Sequence, residues 1–313
     1  MVAVTADIFS GRPNPTWIID EKESARILKK VASKPEIISR VDRNQDGYDN
    51  LGYRGLYIGL LSDELTFKYN LPHHFKILNG AARQNSKDIE IGLEIIASLE
   101  KSSFYDENRK LSANQPKGMV NLIKSEMVKT IQAKPGKVIY EQEVKDVAEN
   151  AATAKTGGVP KAAGCTINLC AFNPSFWNNC KTVKQNNNCY NYATNRRTDS
   201  FAQPGRGSGH PNGTMQCANV SQAARYDGAH NRYDCFPASE APRYLMAMVV
   251  WPGHDYHWYR KHCEGFWGHK PGNTDAKNTD NSGNVIYSPE TCNRGSYTNF
   301  CGYFYSCKSM KVL

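Results

Sequence analysis

One cysteine and a cluster of histidines carry most of the chemistry that this chain's residue types suggest. Cys189 sits in "NNNCYNYATNR", residues 186–196, directly after three asparagines. Asn187 and Asn188 are good helix N-caps, so the spacing predicts a short helix beginning at Cys189. A cysteine in a first helical turn faces unpaired backbone N–H groups, which lower a thiol pKa and favour the nucleophilic thiolate. The preceding asparagines offer amide donors for an oxyanion. The base such a nucleophile needs is His257, in "DYHWYRKH" about 70 residues downstream. His269, Asn273 or Asp275 then stands where a third group would orient the imidazole.

Cysteine arithmetic supplies a competing role. The chain has 10 cysteines, all between Cys165 and Cys307, and residues 1–164 contain none. An even count at irregular spacing reads as a disulfide framework and an oxidising compartment, and a free Cys189 would leave an odd number to pair. No Cys-x-x-Cys spacing and no His-x-x-x-His with a carboxylate occurs, which argues against zinc, although His254, His257, His262 and His269 fall close together. A calcium loop is a further candidate: Asp42, Asn44 and Asp46 match its positions one, three and five, with Tyr53 where the bidentate glutamate belongs. No cofactor is implied. Two Asn-x-Ser/Thr sequons, at Asn212 and Asn219, are candidate glycosylation sites.

These residues need elements to hold them. The cysteine boundary divides the chain into a cysteine-free N-terminal α+β domain (1–132), a linker rich in Ala, Lys and Gly (133–164) and a disulfide-rich α+β domain (165–313). In the first, residues 2–9 alternate as a strand, "SGRPNP" (residues 10–15) is a turn, and a helix follows with Asp20 as its N-cap. Residues 53–61 read as a buried strand, residues 88–102 as an amphipathic helix, and another helix ends before Pro135. In the second, "YLMAMVVW", "DYHWYRKH" and "EGFWGHKPG" make three successive antiparallel strands, a meander that forms a sheet wall. The aromatic "GSYTNFCGYFYSC", residues 295–307, reads as an edge strand closing the core.

Charge and hydropathy exclude some partners. The net charge is +9, from 39 basic and 30 acidic residues, but it is scattered and has no long basic run, which argues against a nucleic-acid groove. No run of about 18 apolar residues suggests a membrane span. The N-terminus has no basic and apolar leader, so no signal peptide is visible, although cysteine usage and the sequons point to a secreted, extracellular protein.

The order helix-borne cysteine, strand-borne histidine, then a polar residue on the adjacent strand resembles the papain-like cysteine hydrolases across residues 185–275. That resemblance implies acyl transfer on a peptide or amide substrate: Cys189 attacks the carbonyl, His257 moves the proton, His269 orients it and Gln185 supplies an oxyanion donor. The Gly-Ser-Cys-Trp surroundings of papain are absent. A second resemblance spans more of the chain. "SGRPNPTW", "NNCYNYA" and "DYHWYRKH…GFWGHKPG" together look like a group of secreted proteins that includes molluscan shell-matrix proteins. It implies a non-catalytic extracellular framework component, with other matrix components as partners. The basic composition suits an organic framework better than mineral binding, which favours carboxylate-rich sequence.

Overall fold

The computed structural model describes residues 1–40, 50–78, 86–105, 111–112, 118–132, 167–231 and 237–313. It is an α+β structure that divides into two compact units. Unit 1 comprises residues 1–8 and 13–135; unit 2 comprises residues 9–12 and 136–313. Four N-terminal residues, Phe9 to Arg12, thus belong with the C-terminal unit, in the stretch that reads locally as a plain turn.

Unit 1 is built on a seven-stranded antiparallel sheet. Its central strand β1 (Val2–Asp7) lies between β2 (Thr16–Ile19) and β4 (Gly55–Leu60), and the outer strands are β3 (Ile38–Arg40), β5 (His74–Ile77), β6 (Ser103–Tyr105) and β7 (Leu111–Ser112). Val2, Val4 and Ala6 are buried, as period-two alternation requires of one strand face. Helix α1 (Glu21–Ala32) starts where expected: the Asp20 carboxylate accepts the Glu23 N–H at 2.9 Å. Its buried stripe, Ser24, Ile27, Leu28 and Val31, has the spacing of one helix face. Helices α2 (Asp63–Tyr69), α3 (Ser86–Ala97) and α4 (Met119–Gln132) complete the unit. An ion pair lies wholly inside it, with Arg54 Nη2 2.7 Å from Asp7 Oδ1 and both side chains unexposed.

Unit 2 contains the short helices α5 (Ser175–Asn178), α6 (Lys181–Asn186) and α7 (Cys189–Thr194), and the longer α8 (Cys217–Tyr226). Its five-stranded antiparallel sheet has the order β11-β10-β9-β12-β8, from β8 (His230–Asn231), β9 (Leu245–Trp251), β10 (Asp255–Lys261), β11 (Trp267–His269) and β12 (Asn299–Tyr305). The meander is therefore β9, β10 and β11. The aromatic strand β12 is not an edge. It lies between β9 and the two-residue β8, which pairs with its last two residues, Phe304 and Tyr305, and these are the buried ones. Every residue of β9 is buried, as befits a strand covered on both faces.

The disulfide framework is smaller than cysteine parity suggests. Among the described residues one disulfide forms, Cys217 of α8 to Cys301 of β12. Cys170, Cys180, Cys189, Cys263, Cys292 and Cys307 are free. Cys165 and Cys235 lie outside the described residues, as do the linker 133–164 and the calcium-loop residues Asp42, Asn44 and Asp46.

Candidate functional site

The triple asparagine before Cys189 forms a bracing hub. Asn188 caps α7: its Oδ1 accepts the N–H groups of Tyr190 at 3.0 Å and Asn191 at 3.2 Å, while Asn191 Oδ1 accepts the Asn188 N–H at 3.1 Å. That reciprocal capping box explains a helix of six residues with little intrinsic propensity. At the far end Asn195 turns left-handed, with φ of 57°, and stops the helix. Asn187 holds the neighbouring loop, accepting the N–H groups of Thr198 and Asp199 at 3.2 Å each. All of α7 is buried, and Tyr190 meets Trp258 of β10 at 5.5 Å between ring centroids.

Cys189 is a free thiol at the first helical position, but it has no exposed surface. Burial drives its pKa well above the ordinary thiol value, and the nearby Asp255 charge pushes the same way. Hydrogen bonds from the backbone of Trp258 and of Cys189 itself oppose the shift and are outweighed. Burial thus works against the thiolate expected from the helix start. A helix N-terminus stabilises charge only modestly, and full desolvation disfavours it more.

His257 stands on the opposite face of β10 from Tyr256 and Trp258, as strand alternation dictates. Its Nε2 lies 2.8 Å from His269 Nδ1, and His269 Nε2 lies 2.9 Å from the Thr279 carbonyl oxygen. A carbonyl only accepts, so His269 carries its proton on Nε2 and presents a bare Nδ1. Burial, followed by the Lys277 charge, lowers the His269 pKa to about 3, so this ring is neutral near pH 7. His257 then donates from Nε2, and its Nδ1 lies 3.0 Å from Ser10 Oγ.

Ser10 belongs to a segment held by a dense set of hydrogen bonds. The Asp255 carboxylate accepts the backbone N–H groups of Ser10 at 2.6 Å, Gly11 at 3.2 Å and Arg12 at 3.0 Å. It also accepts the Tyr297 hydroxyl at 2.5 Å. The Gly11 carbonyl accepts from Asn188 Nδ2 at 2.9 Å, Gln203 Nε2 at 2.7 Å and the Tyr256 hydroxyl at 3.1 Å. Arg12 donates to the His254 carbonyl at 2.8 Å. Gly11 has no room for a side chain, because an added Cβ would lie 2.5 Å from Tyr256 Cε2 and 2.6 Å from the Tyr256 carbonyl oxygen.

The other sequence-predicted residues lie elsewhere. Gln185 is exposed on α6, and the side-chain amide that reaches a carbonyl beside Asn188 is that of Gln203. Asp275 pairs with Lys184 at 3.1 Å. His262 is buried between the Tyr192 hydroxyl, 2.7 Å from its Nε2, and the Cys170 carbonyl, 3.0 Å from its Nδ1. Asn212 precedes α8 and Asn219 lies exposed on it. Among the described residues no group of three or more His, Cys, Asp or Glu side chains is placed to hold a metal. Ser10, Gly11, Asp255, Gln203 and Tyr297 are absent from the sequence-level site. The only local signal was the density of Gly and Pro in "SGRP", which announces a turn and not a partner some 245 residues away.

No known protein-family profile and no solved structure matches the chain. Among curated proteins, insoluble matrix shell protein 1 of Ruditapes philippinarum is 45% identical over 132 residues, which span 42% of this chain and 86% of that relative. With nearly the whole of the relative aligned at that identity, the chain belongs to the family of insoluble matrix shell protein 1.

Proposed function

We propose that this protein is an extracellular structural component of an insoluble organic matrix. The carrying observation is the 45% identity to a protein named as an insoluble shell-matrix protein, aligned over 86% of that relative. Three features of this chain support the reading. The charge of +9 suits association with an organic framework more than direct binding of cationic mineral. The Cys217–Cys301 disulfide fits an oxidising environment. The free thiols of Cys180 and Cys263 are exposed, where an oxidising medium converts such groups into links between chains. In the described residues no helix is long and apolar enough to cross a membrane.

An antibody against the chain tests the proposal on the producing tissue. The expected signal is in the extracellular residue that resists detergent and chaotrope, with release by a thiol reductant. A signal confined to the cell lysate rejects the matrix role.

A cysteine hydrolase using Cys189 and His257 is the second reading, favoured by the free thiol at the head of α7 and the His257–His269 pair. Burial and the raised thiol pKa count against it. Iodoacetamide separates the two. The matrix reading expects Cys189 to remain unlabelled in the native protein and to react only after unfolding. Fast native labelling of Cys189 below pH 7 favours the hydrolase.

A further inference from the structure

Both Asn-x-Ser/Thr tripeptides stand in unit 2, and the fold presents them differently. We propose that Asn212, and not Asn219, is the attachment point of an N-linked oligosaccharide. The inference rests on the extracellular reading above, because this transfer takes place on chains that enter a secretory route.

Three observations carry it. The first is backbone freedom. Residues 195–216, between α7 and α8, contain no helix or strand, and Asn212-Gly213-Thr214 lies near the end of that stretch. Gly213 is exposed, and no atom lies within 4 Å of the place where a Cβ would stand. The tripeptide therefore has room for the turn that sets the Thr214 hydroxyl beside the Asn212 amide, as the transfer requires. The second is access to the reacting groups. Thr214 is exposed and Asn212 half-buried. The Asn212 amide nitrogen meets one partner among the described residues, the Met215 sulfur at 3.5 Å, and a thioether is a weak acceptor that yields to an incoming sugar.

The third is the contrast with Asn219, which is exposed but is the third residue of α8. Residues two apart on a helix do not face each other, so the Ser221 hydroxyl cannot meet the Asn219 amide there. Val220 and Ser221 have relative exposures of 0% and 6%, and the Ser221 hydroxyl donates to the Ala218 carbonyl at 3.1 Å. The disulfide from Cys217 to Cys301 anchors the first residue of the same helix to β12. Presenting Asn219 for transfer means unwinding the start of a docked helix.

The step is a group transfer and involves no oxidant or reductant. Asn212 Nδ2 forms a bond to the anomeric carbon of an oligosaccharide carried on a lipid diphosphate. The bond from that carbon to the diphosphate oxygen breaks, and the proton lost from Nδ2 offsets the charge of the departing diphosphate. Asn212 becomes a neutral glycosyl amide. A bulky hydrophilic group there keeps the loop before α8 hydrated.

The test uses the full chain, secreted from eukaryotic cells behind a supplied leader and carrying a known acceptor tripeptide on an appended tail. Occupancy is mapped by mass spectrometry of its peptides. Enzymatic release of the sugar is run in heavy-oxygen water, which separates it from spontaneous deamidation of Asn212 before Gly213. The expected result is sugar on Asn212 in most chains, with occupancy of Asn219 at least several-fold lower. Asn212→Gln and Thr214→Ala each remove that sugar, and Asn219→Gln leaves it in place. A bare Asn212 on secreted chains whose tail tripeptide is occupied overturns the proposal. So does sugar on Asn219 as often as on Asn212. Because the leader is supplied, either result counts against the site alone and leaves the extracellular reading to the tissue antibody. Mapping of the wild-type chain decides the matter if a variant is not secreted.

Discussion

At the scale of residues, burial sets the protonation of the groups that look reactive. Cys189 has the helix position of a nucleophile and the desolvation of a core residue, and desolvation dominates. The same physics holds two histidines neutral. Burial, with the Lys277 charge second, lowers His269 to about 3, and burial, with Arg260 second, lowers His262 to about 3. The unfolded chain binds protons on both with an ordinary pKa of about 6.5. The unfolded state therefore holds more protons as pH falls, so stability is complete above about pH 6.5 and is lost progressively toward about pH 3. Within that window two such groups cost about 2.7 kcal/mol per pH unit. Urea titrations at pH 7.5 and pH 5 are expected to show a marked drop in the midpoint for unit 2. A midpoint that does not move contradicts neutral burial of these rings.

At the scale of elements, the α7 cap and the Ser10–Arg12 segment share one side chain. Asn188 Oδ1 accepts two N–H groups of the helix, and its Nδ2 donates to the carbonyls of Gly11 and Ala202 at 2.9 Å and 2.7 Å. Asn188→Asp keeps the acceptor and loses both donations, setting a carboxylate against two carbonyl oxygens. Asn188→Ala loses the cap as well, which costs about 2–4 kcal/mol for a lost cap plus unmet buried groups. Both variants are expected to lower the denaturant midpoint of unit 2, and Asn188→Asp to lose further stability as pH rises from 5 to 7. An Asn188→Asp variant as stable as wild type would mean that the Gly11 contact contributes nothing. Gly11 itself tolerates no Cβ against Tyr256, so the approach of the segment depends on this one residue type.

At the scale of the whole molecule, the single described disulfide ties α8 to β12 across 84 residues of sequence. Closing a loop of that length removes unfolded-state entropy worth about 2–4.5 kcal/mol. A reductant is expected to shift the unfolding of unit 2 downward by that amount and leave unit 1 unchanged, because residues 1–135 contain no cysteine. Calorimetry with and without reductant reads both effects, and a shift in unit 1 refutes the assignment. Unit 1 rests instead on its sheet and on the enclosed Asp7–Arg54 pair. Burial alone would raise the Asp7 pKa, but Arg54, Lys76 and the hydrogen bonds from Arg54 and Asn14 more than offset it and hold the carboxyl below its usual range. Removing one partner of such a pair strands a buried charge, at about 3–5 kcal/mol.

The sequence by itself determined the elements with strong local periodicity. The alternation in β1, the capped stripe of α1, the β9–β10–β11 meander and the asparagine-capped helix at Cys189 are all short-range patterns, each fixed by neighbours within a few residues. It also brought forward His257 and His269 as residues of successive strands, and the register, with His269 opposite Tyr259, sets His257 diagonally beside His269 on one face. Tertiary structure alone decided the burial of Cys189, the six thiols left free among the described residues, the place of β12 between β9 and β8, and the contact of His257 with Ser10. Each depends on burial or on partners far apart in sequence. Local pattern carries no record of desolvation, and the turn "SGRP" gives no sign that its serine will lie against a histidine 247 residues later.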